Sequence, residues 1–275
     1  MTLYLIGIGL NDEKDITIRG LETIQKCDEV YLEHYTSILS IGKEKLEKFY
    51  QKEIFIADRN LVESDAEEKL LLPAKEKKIA LLVVGDIFGA TTHTDLQLRA
   101  KKLNVEFVPI FNASIINAIG YVGLELYKYG KTTSIVFSQK NWLPHTPYDV
   151  IKNNLTLGLH TLCLLDIKVA EPSPEDIRKN LQTPGSSSQL SPPRFMTVNE
   201  GLKELLKIEH EQKEKIISEE TWVVGVARIG QKDCLIKFGK IKDLLNFDFG
   251  NPLHSIIIPG KLHEIEEEML NSWKI

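Results

Sequence analysis

Leu81-Leu82-Val83-Val84-Gly85-Asp86-Ile87-Phe88-Gly89-Ala90-Thr91-Thr92-His93 is an apolar run that stops at two glycines bracketing an aspartate. A short run with branched residues reads as a strand buried on both faces, and such strands belong to parallel sheets. In open α/β sheets, ligands sit beyond the carboxyl ends of the strands, which is where Gly85 and Gly89 fall. The glycines allow backbone angles and close approaches that a Cβ blocks, Asp86 supplies an acceptor, and Thr91, Thr92 and His93 add polar groups. Two readings stay open at this point: a binding loop, or a strand that ends in a glycine turn.

Outward from that strand, residues 3–8 form another apolar run, 17–27 carry helical spacing with Ile18, Leu21 and Ile24 on one side, and 29–33 read as a strand. These make a βαβ unit. Strands at 54–57, 79–84 and 105–110, with helices at 63–72 and 95–103, continue the alternation. They predict a doubly wound, mostly parallel sheet with right-handed crossovers. Beyond residue 112 the strands come closer together. Those at 222–229 and 234–238 flank Gly230-Gln231-Lys232-Asp233, a turn composition suited to antiparallel neighbours. With strands at 133–137, 161–167 and 255–258 and helices at 114–127, 148–155, 198–208 and 262–273, they predict a second α/β domain on a mixed sheet. The expected domains are 1–112 and 113–275, the second with a mobile excursion near 171–193, where prolines and Gly185-Ser186-Ser187-Ser188 cluster.

The 275 residues are 43% hydrophobic, an ordinary globular composition. A net charge of −5, from 34 Lys and Arg against 39 Asp and Glu mixed along the chain, gives no footprint for nucleic acid or an anionic membrane. Apolar runs are strand-sized and one opens the chain, so neither a membrane span nor a signal peptide is expected, and the cytoplasm is the expected compartment. Cys27, Cys163 and Cys234 are too scattered for a disulfide framework or zinc site and read as small core residues. His254, His263 and Glu264 fall near one another, but the run Glu266-Glu267-Glu268 reads as a solvated helix face, and no metal is expected.

Leu5-Ile6-Gly7-Ile8-Gly9-Leu10 invites comparison with a dinucleotide fingerprint, and Glu33 ends the next strand where a ribose-binding acid belongs. The third glycine is missing, and the helix begins only near Asp15 or Thr17, so a pyrophosphate would not meet its N-terminus directly. A nicotinamide dehydrogenase therefore ranks last. Asn112 is a candidate cap for a helix opening at Ser114, whose free N–H groups can face a carboxylate. Residues 162–167 and 225–230 read as core strands.

Tyr4-Leu5-Ile6-Gly7-Ile8-Gly9-Leu10, Asp12-Glu13-Lys14-Asp15-Ile16-Thr17 and Tyr31-Leu32-Glu33-His34-Tyr35-Thr36-Ser37-Ile38-Leu39 resemble the diphthine synthase family, of the tetrapyrrole (corrin/porphyrin) methylase superfamily. The segment from Gly85 to His93, Asn112-Ala113-Ser114-Ile115, Gly158-Leu159-His160-Thr161-Leu162-Cys163-Leu164-Leu165-Asp166-Ile167-Lys168 and Pro252-Leu253-His254-Ser255 extend the likeness from end to end. Pro192-Pro193-Arg194-Phe195-Met196-Thr197-Val198-Asn199 resembles the eukaryotic branch. The sequence departs at Ile87, where many relatives carry Pro.

The resemblance implies a two-domain α/β tetrapyrrole-methylase-like fold with a cofactor cleft between the domains. It implies a methyltransferase that uses S-adenosyl-L-methionine, releases S-adenosyl-L-homocysteine, and acts on elongation factor 2. There the modified histidine becomes diphthine methyl ester through four methylations, three on the amino group and one on the carboxylate. Archaeal-type trimethylation only, methylation of a tetrapyrrole, and a regulatory module that binds nucleotide without turnover are the alternatives. Carried over residue by residue, the cofactor contacts fall on Leu10, Asp86, Gly89, Ser114, Ile115, Leu165, Ile229 and His254, with Ala227 the neighbouring candidate to Ile229. A homodimer built largely through the second domain is also implied, and no catalytic base is assigned. Methyl transfer from a sulfonium needs alignment and exclusion of water more than a base, in keeping with loops and strand ends rather than a triad. Trp142-Leu143-Pro144-His145 and the 171–193 excursion are candidates for docking the protein substrate.

Overall fold

Along the strands of the first half, leucine, isoleucine and valine side chains alternate between two apolar layers, as a sheet covered on both faces requires. The computed structural model describes residues 1–35, 37–39, 41–169 and 192–275. They divide into two compact units, Met1–Ala118 with Val169, Pro192 and Gly230–Lys232, and Ile119–Lys168 with Pro193–Ile229 and Asp233–Ile275.

The first unit holds β1 (Thr2–Gly7), β2 (Glu29–Glu33), β3 (Phe55–Ala57), β4 (Lys78–Val83) and β5 (Glu106–Ile110) in the order β3-β2-β4-β1-β5, every pair parallel. Leu3, Leu5, Ile79, Leu81 and Val83 enter one layer, and Ile6, Ala80 and Leu82 the other. The helix Ile18–Lys26 starts where Thr17 Oγ1 accepts from Gly20 N at 3.0 Å. Instead of one helix over 63–72 there are three short pieces: an α-helix at Arg59–Glu63 capped by Asp58, a wide π turn at Glu67–Leu71, and a 3₁₀ turn opened by Pro73. Proline has no N–H to continue the ladder, so the chain retightens there.

In the second unit β6 (Thr133–Ile135), β7 (Thr161–Leu165), β10 (Trp222–Ala227), β11 (Leu235–Lys240) and β12 (His254–Ile258) form a mixed sheet ordered β11-β10-β12-β7-β6. Only β6 and β7 run parallel. The expected hairpin is β10–β11, in register from Trp222 opposite Lys240 to Ala227 opposite Leu235. The strand expected over 161–167 is broken at Asp166. That residue's N–H donates to the Ile135 carbonyl at 3.0 Å, its carbonyl accepts from Met196 N at 2.9 Å, and its carboxylate accepts from Phe137 N at 3.1 Å. Beyond it β8 (Ile167–Lys168) pairs with β9 (Arg194–Phe195) in a separate ribbon. The helix Val198–Gln212 is set by a capping box, Thr197 Oγ1 accepting from Glu200 N and Glu200 Oε2 accepting from Thr197 N.

The helix expected over 114–127 is shorter than its apolar pattern: Ile115–Ala118 is followed by 3₁₀ turns at Ile119–Val122 and Leu126–Lys128. Gly123 interrupts it at φ +97, where a Cβ would stand 2.8 Å from Met269 Cβ and closer to Met269 Cγ. The acidic run at 266–268 is also only partly a solvated face. Glu267 and Glu268 are exposed, but Glu266 is 1% exposed. Its carboxylate accepts from Glu125 N, His263 N and His160 Nε2 and pairs with Lys128 Nζ. The excursion near 171–193 lies outside the described residues apart from Pro192 and Pro193.

Candidate functional site

The carboxyl ends of β1, β4 and β5 are tied into one knot of backbone and short polar side chains. Beyond β1 and β4 the chains still pair, Gly85 N donating to Gly9 O at 2.8 Å and Gly9 N to Gly85 O at 3.3 Å. Gly9 has φ +79 and presses on Asp15, whose Oδ2 accepts from Leu10 N at 3.0 Å and Asn11 N at 2.8 Å.

Asp86 holds the loop after β4. Its Oδ1 accepts from Phe88 N at 2.9 Å and Gly89 N at 3.1 Å, and its Oδ2 accepts from Asn112 N, beyond β5, at 3.0 Å. Asn112 completes the knot: its Nδ2 donates to Gly7 O at 2.9 Å and Asp15 O at 3.0 Å, while its Oδ1 accepts from Ala113 N at 2.7 Å. Asn112 is thus a cross-strand tie, and the cap of the Ile115–Ala118 helix is Ser114. Ser114 Oγ accepts from Ile116 N at 3.2 Å, and Ser114 N donates to Asn117 Oδ1 at 2.7 Å.

Five of the expected site residues, Leu10, Asp86, Gly89, Ser114 and Ile115, come together here. Gly85 lies among them at φ +85; a Cβ placed on it would have Ala113 O, Leu10 Cδ2 and Ser114 Cα at 3.7–3.8 Å. The missing side chain leaves a small hollow lined by carbonyl, methyl and helix-start backbone. Leu10 O also accepts from Gln231 Nε2 at 3.3 Å. Glu33 does not serve as the ribose acid, because it is 2% exposed and paired with His93.

The other three expected residues belong to the second unit, at one end of its sheet. Leu165 ends β7, Ile229 follows β10 and His254 opens β12, with Ala227 opposite His254 across the ladder. Leu165 and Ile229 are each 8% exposed, and a Cβ on Gly201 would lie 2.9 Å from Leu165 Cδ2. The His254 ring is engaged on both sides: Nδ1 accepts from Val198 N at 3.3 Å and Nε2 donates to Asn251 O at 2.8 Å. Burial, together with the Arg228 charge, outweighs the Asn251 carbonyl and holds its pKa below the usual histidine range, so the ring is neutral with its proton on Nε2. Arg228, at φ +51 and 8% exposed, directly follows β10 and anchors the segment before His254. Its guanidinium donates to Phe249 O at 2.7 Å, to Asn251 O, to Asp233 O at 3.1 Å and to Asp233 Oδ2 at 2.6 Å. Sequence reasoning passed over Arg228, although a cation between Ala227 and Ile229 in an apolar strand is itself a signal.

A family model described as Tetrapyrrole (Corrin/Porphyrin) Methylases matches residues 2–245, and the chain belongs to this family and, within it, to the diphthine synthases. It is similar to the diphthine methyl ester synthase of Dictyostelium discoideum, 50% identical over 277 residues that span 100% of this chain and 99% of the relative. It is also similar to the diphthine methyl ester synthase of Homo sapiens, 48% identical over 99% of this chain and 95% of the relative. Among solved structures, one from Entamoeba histolytica superposes with a TM-score of 0.87 at 45% identity, covering 100% and 98% of the two chains. A crystal structure of diphthine synthase gives 0.83 at 31% identity, covering 100% and 96%.

Proposed function

We propose that this chain is a methyltransferase of diphthamide biosynthesis that moves methyl groups from S-adenosylmethionine to the modified histidine of elongation factor 2. The reading carries the reaction through four methylations to the methyl ester. The observation that carries it is the identity of 48–50% over essentially the whole chain with proteins named diphthine methyl ester synthase.

The residues of the strand-end knot fit a methyl donor. The hollow at Gly85 accepts part of a ligand without a side chain in the way. Leu10, Asp86, Gly89, Ser114 and Ile115 would hold the donor in the first unit, and Leu165, Ile229 and His254 in the second. S-adenosylmethionine supplies a methyl group on a sulfonium, whose departure as a thioether needs no acid from the protein. The task left to this chain is alignment and desolvation, worth on the order of 7–11 kcal/mol when geometry is right. Asp86 acts as a shaping residue, since both carboxylate oxygens already accept backbone N–H groups. Leu165 and Ile229 supply apolar walls, and His254, locked neutral, adds a ring without charge.

The reading includes a cytoplasmic homodimer built largely through residues of the second unit, which light scattering of the purified protein and cell fractionation test. Calorimetry tests the donor: S-adenosylmethionine and S-adenosylhomocysteine should both bind, and a nicotinamide dinucleotide should not.

A further inference from the structure

Glu33, at the end of β2, and His93, just beyond the glycine loop, are 2% and 4% exposed, and the site described above uses neither. His93 Nε2 lies 2.9 Å from Glu33 Oε2, and His93 Nδ1 lies 2.9 Å from the Ile87 carbonyl. A carbonyl only accepts, so Nδ1 carries a proton and the Glu33 carboxyl faces Nε2. Burial alone would lower the His93 pKa, but the hydrogen bond and charge of Glu33, with the Ile87 carbonyl, hold it above the usual range. His93 is thus fixed by geometry on both ring edges, Nδ1 on the Ile87 carbonyl and Nε2 facing the Glu33 carboxyl. Tyr35, 4% exposed, stands beside Glu33, with the Arg59 guanidinium 5.3 Å from the centre of its ring; Glu63 and Arg99 are the other charges near that ring.

The Ile87 carbonyl also accepts from Thr91 Oγ1 at 2.8 Å, so it closes the loop on itself. Ile87 follows Asp86, which fixes Phe88, Gly89 and Asn112, and Gly89 abuts Ser114. A continuous chain of contacts therefore runs from β2 through His93 and Ile87 to the place where the loop meets the Ser114 cap.

We infer that His93, held between Glu33 and the Ile87 carbonyl, is a positioning residue for the methyl-donor site, setting the loop that places Gly89 against Ser114. The inference rests on the donor reading above. Three variants, His93→Ala, Glu33→Ala and Glu33→Gln, are compared with the wild type by calorimetry with S-adenosylmethionine, by steady-state kinetics, and by NMR of the imidazole N–H protons.

Wild-type His93 should titrate above a free histidine and Glu33→Gln below the wild type, with the Nδ1–H signal present in both. His93→Ala and Glu33→Ala should each weaken donor binding by about tenfold or more and raise KM for the donor, with kcat within about threefold. Glu33→Gln, which keeps a hydrogen-bonding group in place, should lose less. A folded His93→Ala with wild-type affinity, or a wild-type ring that titrates below a free histidine, overturns the inference. A wild-type protein that binds no S-adenosylmethionine overturns the donor reading itself, a different result from equal binding by wild type and variants.

Discussion

Gly89 faces the side chain of Ser114 so closely that a Cβ on the glycine would stand 2.6 Å from Ser114 Cβ and closer still to its hydroxyl. The hydroxyl cannot move freely, because it caps the Ile115–Ala118 helix through Ile116 N. Gly89→Ala should therefore displace the cap and weaken S-adenosylmethionine binding by about tenfold or more, read by calorimetry, with a modest loss of stability. The double variant Gly89→Ala with Ser114→Gly removes the clash and should recover part of the affinity.

Asn112, beyond β5, holds the end of β1 and the Asp15 turn through three side-chain hydrogen bonds, one of them to its neighbour Ala113 N. Asn112→Ala leaves the Gly7 and Asp15 carbonyls and Ala113 N without that partner. The expected destabilisation is about 2–3 kcal/mol by urea unfolding, larger than a surface Asn→Ala change gives.

Arg228 uses the fork of its guanidinium on two carbonyls ahead of His254 and on both ends of Asp233. Lysine presents one point charge and cannot span these acceptors. Arg228→Lys should lower stability by about 2 kcal/mol and weaken donor binding through the His254 segment, with equal stability in thermal melts the contrary result.

Burial alone would raise the Glu266 pKa, but Lys128, the Glu125 and His263 amides and His160 outweigh it and bring the carboxyl to about 2. Between about 2 and the unfolded value of 4.5 the unfolded chain binds the extra proton, so stability rises with pH in that window. The contribution, on the order of 3 kcal/mol, is complete above the unfolded pKa and is lost as pH falls through about 2. Urea midpoints from pH 6 down to 2 should fall less steeply for Glu266→Gln than for the wild type.

The first sheet was legible because strands buried on both faces leave long apolar runs, and Ile79–Val83 is one. The hairpin was legible because its turn, 230–233, carries its own chemistry. Five of the expected site residues lay in two glycine loops and a helix start that the topology brings to the carboxyl ends of β1, β4 and β5. What the sequence hid depends on distant partners. Glu266 reads as one more acid in a run until His160 and Lys128 meet it. Gly123 looks tolerable in a helix until Met269 passes over it. Glu33 stood where a ribose-binding acid belongs and His93 read as one more polar group of the loop, and only the β2–β4 neighbourhood brings them together in the interior. Asp86 was legible as an acceptor, but its three donors are backbone groups that periodicity does not show.

The central claim is methyl transfer to elongation factor 2, and mass spectrometry of that substrate tests it most directly. Elongation factor 2 carrying the unmethylated aminocarboxypropyl histidine is incubated with the purified protein and S-adenosylmethionine, and the modified peptide is weighed over time. The account predicts a ladder that ends at four added methyl groups, one of them released by mild alkaline hydrolysis as an ester. A ladder that stops at three contradicts the ester-forming step, and an unchanged peptide contradicts the proposed function.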